Sequence, residues 1–111
     1  MPTDSLAEFE LLVMLAALRL GPEEAYTVSI ADDITQRTGR SVRRANVYTT
    51  LQRLERKELV STRLSEPRAE RGGRPRRLVD VTSDGLTAVR TTTKGIAAMT
   101  AGLGDRIGDA V

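Results

Sequence analysis

Arginine side chains carry most of the chemistry that this sequence of 111 residues offers, and they are concentrated in one stretch. Residues 37–77 hold thirteen basic and four acidic side chains, a net charge of +9, whereas residues 1–36 have −6 and residues 78–111 have −1. Guanidinium groups bind phosphate oxygens, and each neutralised phosphate releases counterions, so such a block suits a nucleic-acid backbone. A solvated basic face without a partner is the alternative that charge alone leaves open.

The groups that most often perform catalysis are missing from the sequence. It contains neither histidine nor cysteine, the residues that most often serve as general base, metal ligand or activated nucleophile. Aspartate and glutamate cluster where helices are expected to begin, and capping and the helix dipole explain them there. We therefore expect a protein that is not an enzyme and that has no metal site and no cofactor.

Three helices are predicted before any strand. The first covers residues 5–20, where Ser5 and Glu8 form a capping-box pattern, and its surface is apolar nearly all round, which calls for two partners. The second has Thr27 or Ser29 as its cap and ends at Gly39. The third covers residues 41–58 with apolar residues at spacings of three and four. Two helices joined by a short turn with glycine form a helix-turn-helix candidate.

After the third helix the sequence predicts a hairpin and a last helix. Residues 59–64 and 78–81 are rich in branched residues and are predicted strands, and residues 65–77 between them form a tip rich in arginine, glycine and proline. Thr82 or Ser83 caps the last helix, which is expected to fray beyond Gly102. Its heptad-like stripe predicts a seam with a second subunit. The predicted dimer contacts are Leu6, Phe9, Leu86, Val89, Thr93, Ile96, Thr100 and Leu103.

This order of elements is that of a winged helix. We predict a mainly α fold with a small β-hairpin (α+β), with a winged helix-turn-helix DNA-binding domain over residues 1–82 and a dimerisation helix over residues 83–111. A helix of this width fits the major groove, and an arginine-rich tip can follow phosphates or enter the minor groove. The predicted DNA contacts of the third helix are Arg43, Arg44, Asn46, Thr49, Thr50 and Arg53, and those of the wing are Arg71, Gly72, Gly73, Arg74, Arg76 and Arg77.

Five segments of the sequence resemble PadR-type transcriptional regulators. In order they are the run from Glu10, Ala25-Tyr26, the block from Arg44 to Glu55, the arginine-glycine wing, and the run that ends in Gly85-Leu86. The resemblance implies a repressor that dimerises through its C-terminal helix and binds an inverted-repeat operator. It also implies that Tyr48 contacts a DNA phosphate. Thr27 and Ala45 stand where glycine is common in the family, and both are expected near the DNA.

The predicted function is a sequence-specific, homodimeric DNA-binding transcriptional regulator, and the family resemblance implies a repressor. Double-stranded DNA is the expected partner, with Arg44 and Asn46 as the residues that read base edges. A winged helix that uses its basic wing on an acidic protein is the alternative. No run is long enough to span a bilayer and no signal-peptide pattern precedes the first helix, so a cytoplasmic location without membrane contact is expected. The sequence does not indicate an effector.

Overall fold

The computed structural model of the chain describes residues 5–66 and 74–108. Helices α1 (Glu8–Leu20), α2 (Thr27–Thr38) and α3 (Arg44–Arg56) come first, followed by strands β1 (Val60–Leu64) and β2 (Arg77–Val81), helix α4 (Ser83–Thr100) and the short helix α5 (Gly104–Ile107). The strands pair antiparallel, with Val60 opposite Val81 and Leu64 opposite Arg77. The predicted fold class, a mainly helical winged helix with one hairpin, is confirmed.

The first helix begins later than its sequence pattern predicts. Its N-cap is Ala7, and the Ala7 N–H donates to the Glu10 carboxylate at 2.9 Å, so the predicted capping box of Ser5 and Glu8 is wrong. The Leu6 N–H donates instead to the Thr92 hydroxyl of α4 at 2.9 Å. This contact holds the chain extended before Ala7, which prevents an earlier helical turn.

The other helix ends agree with the predicted caps in part. Thr82 is the N-cap of α4, and its hydroxyl accepts a hydrogen bond from the Gly85 N–H at 3.0 Å. Gly39 ends α2 in the left-handed conformation, as predicted. Tyr26 rather than Thr27 is the N-cap of α2, and the Ser29 hydroxyl accepts from its N–H. Helix α3 starts at Arg44 instead of residue 41, because the chain before it is extended and half-buries Val42 against the core.

The core lies where α1 crosses the other elements. Met14 and Val13 of α1, Ile30 of α2 and Leu54 of α3 are fully buried, and Val79 of β2 closes the hairpin onto them. Helix α4 begins against this core at a tight contact. A β-carbon on Gly85 would collide with the carbonyl oxygen of Leu59 and with the Met14 side chain, so glycine is required there.

Helix α4 leaves the core halfway along its length. Gly85, Ala88 and Val89 are buried, whereas every residue from Lys94 to Thr100 is exposed. The helix ends at Thr100, shortly before Gly102, where φ is positive. Because the first turns of α4 share the core with α1 and β2, the division at residue 82 stays a prediction. No helix in the described part of the chain is long and apolar enough to span a membrane.

Candidate nucleic-acid interface

Helix α3 has one buried face and one exposed face. Val47, Thr50, Leu51 and Leu54 are buried at spacings of three, one and three residues, which is the inner face of a 3.6-residue helix. Thr50 is therefore only 5% exposed, so the expectation that it belongs to the exposed face of α3 is wrong. Its position three residues after Val47 is the reason, because the periodicity places both side chains on the same face.

The exposed face of α3 carries the remaining predicted contacts and one residue that the sequence analysis missed. Gln52 is exposed, and its amide donates to the Tyr48 hydroxyl at 3.3 Å. The spacing of four residues could have indicated this pair. Tyr48 itself is 52% exposed. The residues exposed on this face and at the helix start are Arg43, Arg44, Asn46, Tyr48, Thr49, Gln52 and Arg53.

The basic side chains of residues 37–77 fall into two groups. Several are bound to acidic or polar groups of the chain: Arg37 to Asp33 within α2, and, between different parts of the fold, Arg40 to Glu8, Lys57 to Glu10, Arg63 to Glu23, and Arg77 to Thr62. Four of these five partners lie in residues 1–36, the acidic part of the chain. The carboxylates of this part thus neutralise four of the five, whereas Arg77 is bound to an uncharged hydroxyl group and keeps its charge for an external anion.

The second group of basic side chains has no partner. Among the described residues of the basic stretch, no hydrogen bond, ion pair or ring contact is made by the side chains of Arg43, Arg44, Arg53, Arg56 and Arg74. All five are exposed. Four of them belong to α3 and its N-cap, so the unneutralised charge concentrates on the helix that was predicted to enter the major groove.

A cleft of about 300 Å³ separates α3 from the hairpin. Its floor includes Leu51 and Val79, and its lining includes three predicted DNA contacts from three different elements: Thr27 of α2, Tyr48 of α3 and Arg77 of β2. Distant parts of the sequence therefore meet at one place. Gln52, Glu55 and Thr62 complete the lining.

A chain of hydrogen bonds crosses this cleft from the hairpin to α3. Arg77 donates through Nη1 to the Thr62 hydroxyl at 3.1 Å, and that hydroxyl donates to the Glu55 carboxylate at 2.9 Å. The Glu55 carboxylate thereby orients the Thr62 oxygen toward the guanidinium group. The arrangement connects the base of the wing with the last turn of α3.

A second groove, of about 420 Å³, lies beside the start of α3. Asn46, Thr49 and Arg53 line it together with Arg40 and Val42, and Phe9 of α1 contributes an apolar wall. Phe9 was predicted at the dimer contact. The residues of α1 and its N-terminal approach that face α4 are instead Leu6, Glu8 and Leu11, which leaves Phe9 on the side of α3.

The wing is described only at its base. Arg71, Gly72 and Gly73, three of the predicted contacts, lie outside the described residues. Arg74 is exposed, whereas Arg76 is half-buried, with its guanidinium carbon 4.3 Å from the centre of the Tyr26 ring. Two arginines of the predicted wing, Arg76 and Arg77, are thus bound within the protein, and Arg74 is not.

Three of the eight predicted dimer contacts, Leu6, Ile96 and Thr100, line a groove of about 500 Å³ between the segment before α1 and the outer half of α4. Ile96 is 50% exposed there, and Met99, which the sequence analysis missed, is 78% exposed. Leu103 and Leu86 are also partly exposed, at 40% and 37%. Leu6 and Val89 are each only 8% exposed, because they pack in the core of their own chain, and they offer little area to a partner.

The first turn of α1 contains a buried carboxylate, that of Glu10. Glu10 accepts hydrogen bonds from the Ala7 N–H and from the Lys57 ammonium group, each at 2.9 Å. Burial raises the pKa of the Glu10 carboxyl group, but the hydrogen bonds from Ala7 and Lys57 outweigh burial and bring it below its ordinary value of 4.5. The charge of Arg53 acts in the same direction. The pair joins α1 to the end of α3.

Comparison with known proteins found a matching family and several similar structures. Residues 14–91 match the Transcriptional regulator PadR-like family. A PadR family transcription regulator from hypervirulent Clostridium difficile R20291 has a similar structure, with a TM-score of 0.73 at 16% identity over 92% of this chain and 100% of that chain. A PadR family regulator from Eggerthella lenta DSM 2243 has a TM-score of 0.66 at 23% identity, over 92% and 88% of the two chains.

A third similar structure is the complex of MepR from S. aureus with DNA. Its TM-score is 0.62 at 20% identity, over 94% of this chain and 66% of that chain. At these identities the structural likenesses show the fold. A comparison with curated proteins found no significant match.

Proposed function

Because the chain belongs to the PadR-like family of transcriptional regulators, we propose that it binds double-stranded DNA as a homodimer and represses transcription from an inverted-repeat operator. On this proposal the protein is not an enzyme, and it acts in the cytoplasm, where its DNA is. Its contacts are made by the exposed face of α3, by Thr27 at the start of α2, and by the wing.

The observation that carries the proposal is the unneutralised charge on α3. Arg43, Arg44 and Arg53 are exposed beside Asn46 and Thr49, and no group in the described residues binds their guanidinium groups. Arginine pairs with guanine through two hydrogen bonds and asparagine pairs with adenine in the same way. A helix that presents both types near its start can read base edges from the major groove.

The cleft between α3 and the hairpin supports the same docking. When α3 lies in the major groove and the wing reaches the adjacent minor groove, the sugar-phosphate strand between the grooves passes between them. The cleft offers a guanidinium group from Arg77 and hydroxyl groups from Thr27 and Tyr48 at that place. Hydrogen bonds of this kind go mainly to phosphate oxygens and fix the register of a protein on its site.

The apolar groove beside α4 supports the homodimer. Ile96 and Met99 expose large apolar side chains on a helix segment that has left the core of its own chain. Removing apolar surface of this kind from water lowers the free energy and so favours association. A second copy, related by a twofold axis, presents the same apolar segment and places two α3 helices on the two halves of an inverted repeat.

Selection of bound duplexes from a random library tests the proposal. We expect an inverted-repeat sequence to be enriched and the affinity to fall steeply with salt. If the dimer neutralises about eight phosphates, the slope of log K against log salt is about −7. Arg90→Ala, at an exposed arginine of α4 outside both grooves, is the control and should bind as the wild type does. Absence of enrichment together with a slope near zero would favour an acidic protein as the partner.

A further inference from the structure

The base of the hairpin is held by the connection between α1 and α2, residues 22–26. The Val79 N–H donates to the Ala25 carbonyl oxygen at 2.9 Å, which fixes β2. Arg63 of β1 donates to the Pro22 carbonyl oxygen at 3.2 Å and pairs with the Glu23 carboxylate at 3.3 Å. Both strands are therefore attached to the same five-residue segment, which lies outside the hairpin and outside α3.

Arg76 makes a further contact with the connection between α1 and α2, and it lies beyond the last paired residues of the two strands. Its guanidinium carbon lies 4.3 Å from the centre of the Tyr26 ring, within the range of a cation–π interaction. Its backbone is fixed as well, because the Arg76 N–H donates to the Ser65 hydroxyl at 2.8 Å and the Ser65 N–H donates to the Arg76 carbonyl oxygen at 2.7 Å. These bonds extend the pairing of the strands beyond Leu64 and Arg77.

We propose that Tyr26 and Arg76 are positioning residues that set the direction of the wing relative to α3, and that Arg76 is not itself a DNA contact. This inference rests on the proposed function, because it concerns how the wing reaches DNA. A guanidinium group that is half-buried and stacked on a ring offers little of its surface to a phosphate. Arg74, two residues earlier, is exposed and free of partners in the described chain, and it makes the contact that Arg76 does not.

The physical reason for a positioning role is the closeness of Arg74 to this contact. Arg74 lies two residues from Arg76, so a rotation of the backbone at Arg76 displaces the Arg74 side chain. The stack of Arg76 on Tyr26 opposes that rotation from the side of α2, whose first turn lines the cleft beside α3. The ring thereby ties the wing to the element on which the DNA backbone is expected to rest.

The test is a set of variants measured for operator affinity and for hydrogen exchange. Tyr26→Leu removes the ring face, whereas Tyr26→Phe keeps it and serves as the matched control. We expect Tyr26→Leu to weaken operator binding about fivefold, the equivalent of about 1 kcal/mol for one cation–π contact, and Tyr26→Phe to bind as the wild type does. Thermal unfolding of each variant checks that the loss does not come from the fold.

A second background separates positioning from a general structural effect. If Tyr26 acts by placing the wing, Tyr26→Leu should cost clearly less in a protein that already carries Arg74→Ala than in the wild-type background. Arg74→Ala should reduce the salt slope by about one, and Arg76→Ala added to that background should not reduce it further. Additive losses in the Tyr26→Leu double variant, or a further reduction of the slope by Arg76→Ala, would overturn the proposal.

Amide hydrogen exchange gives a readout that does not need DNA. Tyr26→Leu should accelerate exchange of the Ser65 and Arg76 amide hydrogens, which bond across the base of the wing, and Tyr26→Phe should not. Accelerated exchange in a protein that binds no duplex would contradict the proposed function but not the contact between Tyr26 and Arg76. Unchanged exchange would contradict the positioning role directly.

Discussion

The two exposed surfaces described above differ in the chemical character of their side chains. The surface formed by α3 and the base of the hairpin exposes arginines that form no ion pair within the described residues, together with hydroxyl and amide groups. The surface formed by the outer half of α4 and the segment before α1 exposes Ile96 and Met99 around a groove that also contains Thr92 and Gly95. The first surface exposes guanidinium groups that no carboxylate of the described residues binds, and the second exposes large apolar side chains.

This difference indicates two different partners for one small chain. Unpaired guanidinium groups remain on a protein surface at little cost in water, and they bind phosphates when these are offered. Exposed isoleucine and methionine on a helix that has left the core are costly in water and are stabilised by another apolar surface. The number of basic residues alone does not predict the DNA surface, because many of them are already bound within the chain.

Ile96→Asp should have the largest effect on this comparison. A charge buried against a second copy without a partner prevents association, so the dimer should dissociate and the affinity for an inverted repeat should fall about 100-fold or more. Light scattering at micromolar concentration measures the mass, and a binding titration measures the affinity. Ala98→Asp, at an exposed position of the same helix outside the groove, is the control. A wild-type protein of strictly monomeric mass would refute the idea of a dimer.

Arg44→Ala and Asn46→Ala should have the next largest effect on operator affinity, and they should leave dimerisation unchanged. Loss of a bidentate contact to a base costs about 1 to 3 kcal/mol, so operator affinity should fall roughly 5- to 150-fold while binding to unrelated DNA changes little. Arg56→Ala removes an unpaired arginine at the other end of α3 and should affect both duplexes alike. If the variants at Arg44 and Asn46 keep full sequence preference, the bases are contacted by residues other than those at the start of α3.

The ion pair of Glu10 and Lys57 connects α1 to the end of α3, and its contribution to the free energy of unfolding can be measured. The pKa of Glu10 is lower in the folded chain than its ordinary value, so its contribution is present above the unfolded pKa and is lost as pH falls through the folded pKa, below about 4.5. Lys57→Met should lower the free energy of unfolding by about 1 kcal/mol at pH 7 and should reduce the pH dependence in acid. Unfolding in urea at several pH values measures both.

A matched control for this pair is the exposed contact between Arg40 and Glu8, at 3.1 Å. Glu8 is largely exposed there, so Glu8→Gln should change the free energy of unfolding by less than about 0.5 kcal/mol. An effect as large as that of Lys57→Met would mean that burial of the Glu10 carboxylate is not what makes its ion pair stabilising.

Tyr48→Phe and Gln52→Ala should have the smallest effects. The Gln52 amide donates to the Tyr48 oxygen, which leaves the hydroxyl hydrogen available to a phosphate. Each variant should weaken operator and random DNA alike, about threefold, and the double variant should be no weaker than either alone. The salt slope should not change, because neither group carries charge. A silent Tyr48→Phe would show that the ring packs without using its hydroxyl.

Local patterns in the sequence were sufficient to predict much of the fold and one face of the site. The period of α3 identifies Val47, Leu51 and Leu54 as its inner face. The capping role of Thr82 depends on a hydrogen bond between residues that are only three positions apart in the sequence. The charge block is visible by counting. Thr50 was misassigned although the same period places it inward, so that error lay in applying the pattern and not in the information available.

Tertiary structure alone decided which charged side chains remain free. Lys57 meets Glu10 across 47 residues and Arg63 meets the Pro22 carbonyl oxygen across 41, and the Tyr26 ring that stacks on Arg76 lies at the start of another helix. No local pattern encodes these distances, because they are set by the way α1, α2 and the hairpin pack around a common core. The sequence determined how much positive charge the protein has, and the packing of distant elements determined where that charge is left unpaired.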